Sequence, residues 1–181
     1  MAREYELKYE LENIEEYIAH LNQLGISLSP PVLQCDTIFL RIGKGFQNLH
    51  KGEPVIRIRQ ENDTVKTTIK KYVLGTTERE EVECDIIDIQ SFQKFLALLD
   101  FFPLVTVKKT RRKGHYRGTT ITVDCVEGLG EYTEIEIVAR EESTSCLNVI
   151  KSVTKELGLD DKHLISMPYD EMLFMKGQYN D

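Results

Sequence analysis

Along most of the chain, hydrophobic and polar residues alternate with a period of two. Arg3–Glu10, Gln34–Leu40, Glu53–Gln60, Thr64–Lys71, Thr76–Asp85, Leu104–Arg112, His115–Val126 and Glu131–Ala139 all read as strands on this pattern. Glu61-Asn62-Asp63, Gly75, Gly114, Gly128 and Gly130 punctuate them. Most connections are too short for a crossover helix, so the sheet is expected to be largely antiparallel. Four stretches switch to helical spacing. Asn13 caps a run carrying Ile14, Tyr17, Ile18, Leu21 and Leu24; Glu16 completes a capping box and Gly25 ends the helix. Asp88–Asp100 carries Phe92, Phe95, Leu96 and Leu99 on one face. Ser143–Leu157 carries Cys146, Val149, Ile150, Val153 and Leu157, and a short helix is expected over Tyr169–Met175. These apolar stripes read as core.

The polar side of the strands is unusual. The opening stretch "EYELKYEL" sets Glu4, Glu6 and Lys8 against Tyr5, Leu7 and Tyr9. "VIRIRQ" offers Arg57 and Arg59, "TTIKK" Thr68 and Lys70, and "REEVECD" Arg79, Glu81 and Glu83. "VKKTR" offers Lys109 and Arg111, "ITVDCV" Thr122 and Asp124, and "EYTEIEI" Tyr132, Glu134 and Glu136. A solvated face usually mixes Ser, Thr, Gln and Asn with scattered charge, whereas here a charge-x-charge spacing recurs on strand after strand. Seven acids (Glu4, Glu6, Glu81, Glu83, Asp124, Glu134, Glu136) face seven bases (Lys8, Arg57, Arg59, Lys70, Arg79, Lys109, Arg111), although the whole chain has a net charge of −7. An ion taken from water costs several kcal/mol unless it is matched, so this balance suits an enclosed, charge-lined interior. The architecture it suggests is α+β: an eight-stranded antiparallel β-barrel with a polar, charged lumen and helices packed outside. The alternative is a two-layer sheet with one wet face. Periodicity does not separate the two.

Composition narrows the function classes. A chain of 181 residues suits a single domain, 1–181, with a sizeable core. The acidic balance argues against nucleic acid as a partner. No apolar run is long enough to cross a bilayer, so no membrane role is expected. Cys35, Cys84, Cys125 and Cys146 lack CxxC spacing, which argues against zinc and fits a cytoplasmic location with reduced thiols. None of the four histidines falls in the charge-x-charge pattern, so histidine catalysis is not expected.

The residues resemble the CYTH superfamily, the triphosphate tunnel metalloenzymes. "EYELKYEL" matches the ExExK signature of that family, and further matches follow in order: "QCDTIF", "PVIRIRQ", "TTIK", "REEVE", "VTVKKTR", "ITVDCVEGLGEYTEIEI" and "SMPYDEML". The resemblance covers nearly the whole chain and is most similar to the class IV adenylyl cyclase branch. It implies a tunnel that takes ATP or another triphosphate-bearing small molecule, together with Mg2+ or Mn2+. It implies Lys8, Arg57, Arg59, Lys70, Lys109 and Arg111 as phosphate ligands, with Glu6, Lys8 and Lys70 as candidate catalytic groups. Glu4, Glu6, Asp124, Glu134 and Glu136 are the implied metal ligands. Hard cations take oxygen donors, and apposed carboxylates repel until a cation sits between them. Arg79, Glu81 and Glu83 are either ligands or supports. The family resemblance also admits a homodimer. Cyclisation of ATP to cAMP and pyrophosphate, hydrolysis of inorganic, thiamine or nucleoside triphosphate, and turnover-free binding of nucleotide or polyphosphate all fit one such site.

Overall fold

A computed structural model describes residues 3–72, 79–139, 144–159 and 163–178. The expected turn at Gly75 and the start of the strand expected over Thr76–Asp85 lie outside them. The described residues form an α+β fold built on antiparallel ladders. In chain order the elements are β1 (Arg3–Leu11), α1 (Ile14–Gln23), β2 (Val32–Arg41), a 3-10 segment (Phe46–Lys51), β3 (Val55–Glu61), β4 (Thr64–Tyr72), β5 (Arg79–Asp85), α2 (Ile89–Leu98), β6 (Phe101–Tyr116), β7 (Thr119–Val126), β8 (Gly130–Ala139), α3 (Thr144–Glu156), β9 (Leu164–Ile165) and α4 (Tyr169–Gln178).

The chain divides into two compact units: Met1–Val32 with Lys109–Met167, and Leu33–Lys108 with Pro168–Asp181. In the first, the strand order is β6-β7-β8-β1-β9; in the second it is β5-β4-β3-β2-β6, the long β6 contributing to both. Nine strands are thus described where eight were expected. The ninth is a two-residue strand against Lys8 and Tyr9. The ladders end at β5 and at β9.

In the first unit, Leu21 and Tyr17 of α1 and Ile150, Val153 and Leu157 of α3 bury Ile121, Val123 and Ile135, with Tyr5, Leu7 and Ile137 packed alongside. All these sheet residues share one parity, so the opposite parity carries the charge. The helix starts where its cap says: the Asn13 side chain accepts from the Glu15 and Glu16 amides at 3.0 and 3.2 Å and donates to Glu16 Oε1 at 2.9 Å. Truncating a fully buried residue such as Leu21 would cost about 2–5 kcal/mol. In the second unit, Leu96 of α2 packs on Phe39, Ile56, Ile58 and Phe101. Arg57 and Arg59, of the other parity on β3, therefore face away from that helix.

One boundary differs from the sequence expectation. Gly114 is not a strand break but a buried position inside β6. A Cβ there would meet Leu28 Cδ2 at 2.9 Å and the Ser27 carbonyl oxygen at 3.0 Å. Residues 27–29 run against the strand, and the Ser29 amide donates to the Lys113 carbonyl at 2.7 Å. The reversal comes instead at Arg117-Gly118, whose φ values of 47° and 79° suit a two-residue hairpin. Gly128 and Gly130, at φ 78° and 136°, form the next turn as expected.

Candidate functional site: two charged sheet faces

On the first unit, register brings the charges into rows. Lys8 lies opposite Glu134, which lies opposite Thr122; Glu6 lies opposite Glu136; Arg111 lies opposite Asp124. Directly opposed residues have Cβ atoms about 4.5–5.5 Å apart, within reach of one another. Arg111 is the hub. Its Nε donates to Asp124 Oδ1 at 2.7 Å, its Nη2 donates to Asp124 Oδ2, and the same Nη2 reaches Glu134 Oε2 at 2.5 Å. The Lys8 ammonium lies 3.5 Å from Glu134 Oε1 and donates to the Met167 carbonyl at 3.2 Å. The Thr122 hydroxyl adds a donor to Glu134 Oε2 at 3.4 Å.

These charges are not wet. Lys8, Lys109 and Glu134 are 5–6% exposed and Asp124 is 0% exposed. A solvated sheet face would leave such side chains largely open, so this face follows the enclosed alternative. Burial by itself would push the Glu134 carboxyl up. The charges of Arg111, Lys109 and Lys8 outweigh it and hold the group below the usual carboxylate range. Tyr132, on the same face and 2% exposed, is pushed up by burial and then by Glu10. Glu6 is exposed and Glu136 half-buried. Glu4 is placed by the backbone opposite Val138, and its side chain lies outside the described ones.

The second unit carries a different arrangement. Arg59 lies opposite Asp36 of β2, and the two form a fork: Nε to Oδ1 at 2.7 Å and Nη2 to Oδ2 at 2.6 Å. Arg57, next on the same face, sits between Ile38 and Thr68. Its Nη2 donates to the Thr68 hydroxyl at 3.1 Å, while its Nε is buried with no hydrogen-bond partner. No carboxylate among the described residues forms an ion pair with it. Burial, followed by repulsion from Arg59, holds this guanidinium below its ordinary range, against the pull of Asp36, Glu81 and Glu83. It is still a cation at neutral pH. Lys70 pairs with Glu81 at 3.0 Å, and Lys66 with Glu83 at 2.9 Å. Glu81 and Glu83 are thereby engaged by lysines of β4; Arg79 is on β5 opposite Tyr72, and its side chain lies outside the described ones.

Asp36 is the residue that sequence reasoning missed. It does not belong to a charge-x-charge pair, because Ile38 follows it on the same face. The signal available was its parity with Gln34, which is also buried. Two grooves of about 460 and 760 Å³ occur in the first unit, lined by residues of α1, α3 and the strand ends such as Tyr17, His20, Leu157 and Leu159. Neither contains the arginines or the Glu134 cluster.

The sequence pattern of the CYTH domain matches residues 2–169. The chain belongs to the CYTH domain family. A protein of Methanocaldococcus jannaschii named "Putative adenylate cyclase" is 25% identical over 173 residues, covering 93% of this chain and 97% of that one. A solved structure from Pyrococcus horikoshii is 27% identical, covers 96% of this chain and 99% of its own, and superposes with a TM-score of 0.76. A Hippeastrum protein described as a "Putative adenylyl cyclase" with "a dominant" triphosphatase activity shares the fold at 19% identity and a TM-score of 0.68, covering 98% of this chain and 96% of that one. Among the described residues of this CYTH chain no helix is long and apolar enough to cross a membrane.

The donor chemistry of the first charged face fits a hard divalent cation, with one qualification on which residues serve. Both Asp124 oxygens and one Glu134 oxygen already accept from Arg111. Glu6 and Glu136 are a further carboxylate pair on this face, directly opposed across β1 and β8. Among the described residues no three acids close into a ready-made cage. One or two carboxylates completed by substrate oxygens and water is the usual arrangement for Mg2+.

Proposed function

We propose that this CYTH protein is a metal-dependent enzyme that processes triphosphates, in the manner of a class IV adenylyl cyclase: ATP to cAMP and pyrophosphate. The observation that carries the reading is Arg57. Arg57 is half-buried, but its Nε is fully buried and unsatisfied and it has no ion pair among the described residues; an unmade buried hydrogen bond costs about 1–3 kcal/mol. A phosphate oxygen on that nitrogen would satisfy it and match its charge. Arg59, Lys70, Lys8, Lys109 and Arg111 are the further phosphate-binding groups of the two charged faces. Arg offers paired donors to two oxygens, and Lys a point charge.

Glu6 and Glu136, with Glu4 beside them on β1, are the residues that would hold Mg2+ or Mn2+; Glu134 completes the acidic strand face. Bound there, the metal would supply charge neutralisation at phosphate oxygens. The protein's own cations stabilise negative charge as it develops on the leaving pyrophosphate, and they are fixed beforehand by the strands that carry them. Asp124 serves this through Arg111, whose guanidinium it grips from both sides of the fork. Lys8 and Lys70 are the ammonium groups proposed to offset that charge. The choice of cyclase rests on the name of the Methanocaldococcus relative and on the "VDCVEGLGEYTEIE" and "QCDTIF" segments.

The test is product analysis. Purified protein is incubated with Mg2+ or Mn2+ and ATP, inorganic triphosphate or thiamine triphosphate. Pyrophosphate with cAMP is the expected result. Orthophosphate release alone would replace cyclisation by hydrolysis, and tight binding with no product would reduce the protein to a binding module.

A further inference from the structure

The two arginines of β3 sit two residues apart on one face, yet the structure treats them differently. Arg59 is locked in a fork by Asp36, a carboxylate only 5% exposed. Arg57 has a hydroxyl and an unsatisfied Nε. The fork fixes the plane of the Arg59 guanidinium and offsets its charge. It also limits the repulsion between the arginines, which acts on Arg57 in the same direction as burial.

We infer that Asp36 is a positioning residue that sets anion selectivity: by holding and offsetting Arg59, it makes the site favour a chain of phosphates over a single phosphate. The inference rests on the triphosphate reading above. With Asp36 in place, an isolated orthophosphate meets Arg57, which has no ion pair among the described residues. An anion long enough to span both side chains engages Arg57 and also the pre-oriented Arg59, whose ordering has already been done by the protein. Without Asp36, Arg59 loses the fork that fixes its plane and offsets its charge. Any small anion then binds better, and the long anion loses the fixed geometry.

The experiment uses the full chain with Asp36→Asn, which keeps the size and one acceptor but removes the charge. Without ligand, 15N NMR of the arginine Nε–H groups reads the fork directly: the Arg59 signal should be slowly exchanging in the parent protein and exchange at least tenfold faster in the variant. By calorimetry, the ratio of triphosphate to orthophosphate affinity should fall at least tenfold, with orthophosphate itself binding more tightly. Asp36→Glu, which keeps the charge, should recover part of the ratio. A purely structural role would weaken both anions alike and leave the ratio in place. If Asp36→Asn does not fold, Arg59→Lys breaks the fork from the other side and must lower the ratio in the same way. A ratio unchanged within twofold in a folded variant overturns the inference alone. A parent protein that binds triphosphate no better than orthophosphate overturns the triphosphate reading together with this one.

Discussion

Replacing Arg111 by Met tests whether the buried charges of the first unit form one electrostatic unit. The change removes the hub and leaves Asp124, 0% exposed, and Glu134, 6% exposed, without their shared guanidinium. Breaking a buried pair from one side costs about 3–5 kcal/mol, because the remaining charge is uncompensated. At roughly 2–4 °C per kcal/mol for a chain of this size, the melting temperature should fall by about 6–20 °C. Adding Asp124→Asn to the same chain should recover more than half of the loss, since one stranded charge is gone. The pH dependence gives a sharper reading. In the parent protein Glu134 is held below its unfolded value, so its contribution is present above about pH 4.3 and is lost as the pH falls through its folded value. Without Arg111 the largest opposing charge disappears and burial pushes Glu134 upward. The penalty is then greatest near pH 7 and is relieved as the pH falls toward 4.5, where the folded state takes up the proton. Urea denaturation at pH 7 and pH 4.5 measures both effects. A loss under 1 kcal/mol at pH 7, or one that does not shrink on acidification, would refute the account of Arg111 as the hub.

Three further outcomes are expected. Arg57→Ala should weaken inorganic triphosphate binding at least tenfold with little change in melting temperature; an unaltered dissociation constant by calorimetry would remove it from the phosphate-binding set. Glu136→Ala should abolish metal-dependent turnover while circular dichroism shows the fold intact, and full activity at saturating Mg2+ would exclude it as a metal ligand. Gly114→Ala should destabilise by about 1–3 kcal/mol, because the new Cβ overlaps Leu28 and the Ser27 carbonyl, and an unchanged urea midpoint would show that residues 27–29 yield without cost.

Much of the charged strand pattern was legible in the sequence. The alternation in "EYELKYEL" and "EYTEIEI" places Lys8, Glu134 and Glu136 on one parity, because strand geometry sends successive side chains to opposite faces. The helices could be read from their caps and stripes, as the Asn13 hydrogen bonds illustrate, but Leu24, Phe95, Leu99 and Val149 of those stripes are exposed and not core. Two residues were not legible, because the reason for each lies outside its own segment. Gly114 looked like a turn because Gly usually punctuates strands. It is needed inside β6 because a segment more than eighty residues away runs against it. Asp36 was overlooked because its neighbours carry no charge, and its partner Arg59 is twenty-three residues distant.

The sequence alone determined which side chains share a face, since that follows from a local period of two. It also determined that the charges of the two signs could balance. Which acid meets which base was decided only by tertiary register: Arg111 with Asp124 and Glu134, Arg59 with Asp36, and Arg57 with no carboxylate among the described residues. Ion pairing depends on distances of a few ångströms between strands, and those distances are set by how the strands align, which a one-dimensional pattern does not encode.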